Sequence, residues 1–126
     1  MVNKLRLLLI FSLSATLVGC AGLISQMRLN QLNQQLLTAA QSGQWAQVQS
    51  LIKEGANINA QNAQGQTALY WAADKGSAET VKFLVGHGAN VNLADQNGQT
   101  PLDRAALRSF LDIVRYLVQN GASANN

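Results

Sequence analysis

The chain has 126 residues, a formal net charge of +3, 48% hydrophobic residues and only 12% charged residues, which bounds it to one domain, or one small domain plus a segment with another task. So few charges argue against long solvated charge runs and charge-driven disorder. A single cysteine excludes an intrachain disulfide and any cysteine-based zinc site of ordinary spacing.

At the N-terminus Lys4 and Arg6 precede an apolar run from Leu7 to Val18. A short positive segment followed by about a dozen apolar residues is the pattern of a secretory signal peptide, and it falls short of the ~20 residues that a transmembrane helix needs. The run closes on Leu17-Val18-Gly19-Cys20, followed by Ala21. This resembles the lipobox of bacterial lipoproteins. The resemblance implies a signal peptide over 1–19, cleavage before Cys20, and a covalent lipid (diacylglyceryl and an acyl chain such as palmitate) at that residue. Two or more acyl chains hold a protein stably on a membrane, whereas one does so only marginally. By the family's sorting rule, Ala21 in place of an acidic residue favours the outer membrane facing the periplasm. An ordinary secretory signal with a chance cysteine is the alternative. Lipidation would also remove the lone thiol, a liability in an oxidising compartment. A chain beginning at Cys20 has seven Lys and Arg against six Asp and Glu, so its net charge is 7 − 6 = +1. The basic balance thus lies mostly in the leader, and no case for nucleic-acid binding is left.

From residue 36 onward the chain repeats itself. Gly65-Gln66-Thr67-Ala68-Leu69 recurs 33 residues later as Gly98-Gln99-Thr100-Pro101-Leu102. Ala39-Ala40, Ala72-Ala73 and Ala105-Ala106 keep the same period, as do Leu51-Ile52, Leu84-Val85 and Leu117-Val118. So do Gly55-Ala56-Asn57-Ile58-Asn59, Gly88-Ala89-Asn90-Val91-Asn92 and Gly121-Ala122-Ser123-Ala124-Asn125. Together these motifs resemble the ankyrin repeat. The resemblance implies an all-α solenoid of about three helix-turn-helix units with projecting hairpin loops, bounded at 36–64, 65–97 and 98–126.

Local chemistry predicts the same elements. Thr67 and Thr100 are N-caps, and Pro101 suits a first helical position. First helices are expected from Ala68 to about Lys75 and from Pro101 to about Arg108. Second helices are expected near Trp45–Lys53, Ala78–Val85 and Leu111–Gln119, with aliphatic residues at helical spacing. Gly43 and Gly76 take the turn between helices at positive φ, while Ser109 does so less comfortably. In the first unit Leu29 and Leu32 stand where the later units have hairpin residues. Ile24, Met27, Leu29, Leu32 and Leu36 are spaced for one side of a helix, so 20–35 reads either as a helix from about Ile24 capping the stack or as a flexible tether.

Catalytic constellations are not found. His87, at a helix end, lacks a nucleophile or an orienting carboxylate, and the pairs Asp74/Glu79 and Asp95/Asp103 fall on helix-surface and hairpin positions. Metal ligands are too few, so neither metal nor cofactor is expected beyond the lipid. The ankyrin resemblance implies binding without catalysis, through hairpin tips and exposed first-helix positions on the concave side. Residue by residue these are Gln64, Gln66, Trp71, Asp74 and Lys75, then Gln96, Asn97, Gln99, Arg104, Leu107 and Arg108, with Ala63, Thr38, Gln41 and Ser42 beside them. Trp71 is the sharpest of these, an aromatic anchor near Arg104 and Arg108, unless it folds over a neighbouring unit as cover. Tyr70, Asp103 and Trp45 read as structural. The expectation is a lipid-anchored envelope module that masks or scaffolds a protein partner and is otherwise monomeric. The alternative is a structural lipoprotein that self-associates through its exposed last repeat.

Overall fold

The computed structural model describes residues 2–123, with side chains from Gly22 onward. The side chains of Leu17, Val18, Gly19, Cys20 and Ala21, as well as Ala124 and Asn125, lie outside the described residues. Among the described residues there are six helices and no strand: α1 (Val2–Ser42), α2 (Trp45–Lys53), α3 (Ala68–Lys75), α4 (Ala78–Gly86), α5 (Pro101–Leu107) and α6 (Leu111–Gln119). They pack as three antiparallel pairs, with α3 lying between α1 and α5 in an inner row and α4 between α2 and α6 in an outer row. Among the described residues no helix is long and apolar enough to cross a membrane.

The helices start where the residues can satisfy exposed amides. Thr67 Oγ1 accepts from Tyr70 N at 3.1 Å. In the next unit Thr100 Oγ1 accepts from Asp103 N at 3.3 Å, while Asp103 Oδ2 accepts from Thr100 N at 3.0 Å, completing a capping box ahead of Pro101. Asp103 therefore has the structural role expected of it.

Small residues set the spacing between units. Ala39, Ala40, Ala72, Ala73 and Ala105 are buried among Leu36, Val48, Leu51, Leu69, Val81, Leu84, Leu102, Ile113 and Leu117. Burial of such side chains is the main driving term for the stack, since no single pair can cover its own apolar face. Gly76 terminates α3 at φ +77°, and a Cβ there would come within 2.7 Å of the Phe110 ring from the next unit. Ser109 holds the equivalent turn at φ 62°, the only positive φ of a non-glycine residue among those described.

A ladder of asparagines sews the loops together. Asn33 Oδ1 accepts from Asn57 N at 2.7 Å, Asn59 Oδ1 from Asn90 N at 2.7 Å, and Asn92 Oδ1 from Ser123 N at 3.1 Å. Within each loop Asn57 and Asn90 each accept from the amide two residues on, at 3.0 Å. The first rung comes from helix α1, which stands where later units have a loop.

Helix α1 departs from the expected start near Ile24. It is continuous from Val2, and only part of its apolar stripe meets the stack. Leu36 is fully buried and Leu32 packs against the core, whereas Ile24 and Met27 are exposed. Capping by Ile24 and Met27 is thus corrected. They lie beyond the reach of α2 and α3, which end the apolar surface available to α1.

Candidate functional site

The inner row and the hairpin tips bring most of the expected residues onto one face, but with unequal freedom. Each tip is built by a side chain that imitates backbone. Asn62 Oδ1 accepts from the amides of Gln64 and Gln66 at 3.0 and 2.9 Å, and Asp95 Oδ1 from those of Asn97 and Gln99 at 2.9 and 3.0 Å. Successive tips are joined: Gln96 N donates to Gln64 O at 2.9 Å, Gln96 Nε2 donates to Ala63 O, and Gln61 Nε2 donates to Ala94 O at 3.4 Å. A Cβ on Gly65, which sits at φ +80°, would come within 3.1 Å of Asp95 Cα, so the tips approach closely only because of that glycine.

Asp74 is the main correction. Expected on an exposed helix position, it is 9% exposed. Its Oδ1 accepts from Arg104 Nη2 at 2.6 Å, Arg104 Nε at 2.9 Å and Arg108 Nε at 3.2 Å. Arg104 also donates from Nη1 to Gln99 Oε1 at 3.0 Å, and its guanidinium lies 5.6 Å from the Tyr70 ring centroid. Arg104 is therefore an inter-repeat clamp with its donors largely committed. Burial works to lower its pKa, but the hydrogen bond and charge of Asp74, with Tyr70 and Asp95, outweigh this and raise it. The Tyr70 phenol is pushed up chiefly by burial; Asp95 adds to the rise, and Arg104 opposes it.

Trp71 is half-buried rather than open. Its ring meets Tyr70 edge to face at 5.4 Å, Lys75 Nζ stands 5.9 Å from it, and its indole Nε1 is buried without a hydrogen-bond partner. What remains open on this side is a smaller set. Gln64, Lys75, Asn97, Leu107 and Arg108 are exposed, with Arg108 52% exposed beyond its contact with Asp74. Gln66 is held by Asn62 at 2.9 Å, so it belongs with Gln96 and Gln99 to the framework of the tips. Thr38, Gln41 and Ser42 on α1 are exposed, though Thr38 Oγ1 donates to Gln34 O at 2.9 Å.

Sequence reasoning missed the clamp because its two halves lie in different units and do not repeat. Position 74 corresponds to Gln41 and Leu107 in the flanking units, so no periodic signal marks it. Away from this face, His87 is exposed, its Nδ1 2.8 Å from Phe83 O and its ring tilted against that of Phe83. Among the described residues no group of His, Cys, Asp and Glu is placed to hold a metal ion.

A family model described as ankyrin repeats, three copies, matches residues 36–126. The chain belongs to the ankyrin-repeat family. A comparison with curated proteins gives no match. The family is one of protein-interaction modules that typically lack catalysis, and ankyrin proteins generally bind protein partners. In this ankyrin array the candidate interface is the open part of the inner face. Two guanidinium groups and the Lys75 ammonium are set there against a single buried carboxylate.

Proposed function

We propose that this ankyrin protein is a lipid-anchored envelope module that binds a protein partner non-covalently through its concave side. The observation that carries the binding face is the local excess of positive charge around Asp74. One carboxylate oxygen serves two arginines, and Lys75 and Arg108 keep exposed donors beside the half-buried Trp71. A partner presenting carboxylates and an apolar contact for Leu107 and Trp71 fits this surface. Charge pairs then steer association, and the aromatic ring supplies buried area.

The anchor rests on sequence. Lys4 and Arg6, the apolar run and Leu17-Val18-Gly19-Cys20 support secretion and lipid attachment at Cys20, with Ala21 favouring the outer membrane on its periplasmic side. Masking a lytic or toxic enzyme and scaffolding an envelope complex are two forms of the same binding activity.

Capture from detergent-solubilised envelopes with the intact chain tests the binding reading. A stoichiometric partner held by the wild type and lost in Lys75→Ala/Arg108→Ala supports it, and equal capture by both overturns it. Metabolic labelling with palmitate tests the anchor separately: label on the wild type and none on Cys20→Ser is the expected result.

A further inference from the structure

Neither the stack nor the concave face uses the apolar patch on the first half of α1. Leu23, Ile24 and Met27 are 63%, 61% and 68% exposed. Where the helix enters the stack, the row that packs is Leu32, Leu36 and Ala40. The row of Ile24 and Met27 runs on instead, at helical spacing, into Gln31, Gln34 and Thr38, which are exposed and polar. The patch thus belongs to a length of helix that the array leaves uncovered, and it gives way to amides within two turns. Ile24, Met27, Arg28 and Gln31 line an open hollow on it, and Gln26 and Asn30, hydrogen-bonded to each other at 3.1 Å, mark the neighbouring polar side.

Position, charge and length together say what covers this patch. Leu23, Ile24 and Met27 follow Cys20 by three, four and seven positions, the spacing of one helix face, and α1 is unbroken across them. No hinge separates the patch from the proposed point of lipid attachment. Seven helical residues rise about 10 Å, the depth of the headgroup and acyl boundary in which interfacial helices lie. The charges before Glu54 are Lys4, Arg6, Arg28 and Lys53, and all six Asp and Glu residues stand at Glu54 or beyond. Arg28 is exposed at the edge of the patch. An apolar patch bordered by a cation, in a segment without carboxylates, suits anionic lipid headgroups. With Ser25, Gln26 and Arg28 between and beside its three apolar residues, it is far too short to span a bilayer. It suits the interface.

We infer that the occupant of this patch is the lipid surface. Leu23, Ile24 and Met27 sink to the level of the upper acyl chains, Arg28 lies among the headgroup phosphates, and Gln31 and Gln34 stay in water. The inference rests on the anchor proposed above, which brings the helix to that surface. Because α1 runs without a break from the patch to Ser42, the contact sets the tilt of the whole array on the membrane.

The test uses the intact protein, purified from membranes and returned to vesicles of phosphatidylethanolamine and phosphatidylglycerol. An environment-sensitive fluorescent amino acid is placed at residue 24, 27 or 34, and two quenchers are compared: a nitroxide high on the lipid acyl chain, and iodide in the water. The nitroxide is expected to quench several-fold more strongly at 24 and 27 than at 34, and iodide in the reverse order. Iodide reaching 24 and 27 as freely as 34 overturns the inference. So does protection of 24 and 27 from both quenchers, which marks a protein cover. Intact mass reports the lipid on Cys20 separately. A lipidated chain with 24 and 27 in water keeps the anchor and loses the contact, and an unlipidated chain with both in reach of the nitroxide keeps the contact and loses the anchor.

Discussion

Asp74 and Arg104 stand 30 positions apart, in adjacent repeats, with the arginine Nη2 2.6 Å from the carboxylate Oδ1. The pair joins α3 to α5 on the face where a partner is proposed to bind, so it links the stability of the array to the geometry of the site. Removing the carboxylate leaves Arg104, only 18% exposed, without its main acceptor. Asp74→Ala is expected to cost about 2 kcal/mol, the scale of hydrogen bonds to charged groups, seen as a lower urea midpoint at unchanged slope. Arg108→Ala, which removes a half-exposed contact, is expected to cost less than about 1 kcal/mol. Equal losses in the two variants would contradict the assignment of Arg104 as the clamp and Arg108 as the open group.

Ser109 holds a left-handed turn that Gly43 and Gly76 hold in the other units. A side chain in that region costs roughly 1–2 kcal/mol. Ser109→Gly is expected to raise thermal stability by about 1 kcal/mol, part of the gain being offset by the larger entropy of an unfolded glycine. Gly76→Ala is expected to do the reverse and more, because the added methyl also meets the Phe110 ring. Differential scanning calorimetry of the two variants checks both signs.

Tyr70 titrates above its ordinary value of 10.0, burial being the first cause. The folded state therefore holds the phenolic proton more tightly than the unfolded chain does. The stabilisation is complete below the unfolded pKa and is lost as pH rises through the folded one. Unfolding curves measured from about pH 9 to pH 11 should show the wild type losing more stability than Tyr70→Phe. Parallel losses would place the phenol in a solvated environment and contradict the packing beneath Arg104.

The asparagine ladder predicts a graded effect. Asn59 Oδ1 serves Asn90 N between two loops at 2.7 Å, so Asn59→Ala is expected to cost about 1 kcal/mol, the usual net worth of one hydrogen bond. Amide hydrogen exchange at Asn90 should accelerate more than exchange inside α4. Exchange that is unchanged at Asn90 would mean that the rung carries no load.

Much of the fold was legible because its determinants are local and recur. Thr67 and Thr100 cap the helices that follow them, and Ser109 takes the conformation that its place in the period requires. The site was less legible. Asp74 reads as a surface residue on its own helix and is covered only by arginines from the next unit, a contact that neither Gln41 nor Leu107 could foreshadow. The reach of α1 is hard to read from sequence for a related reason. The spacing of Ile24 and Met27 marks a helical stripe, but how much of it is buried depends on where α2 and α3 end. Asn33 likewise became a rung because a helix replaced a loop, which no repeat signal encodes.

The central claim is that the concave side engages the partner. Photocrosslinking of the full chain in envelope membranes tests it most directly, with benzoylphenylalanine placed at residue 75 on α3 or at residue 79 on α4. Both positions are exposed, one on the inner row of helices and one on the outer. The account predicts a single adduct with one envelope protein from position 75 and none from position 79. An adduct from position 79 alone would put the partner on the outer helices and contradict the account.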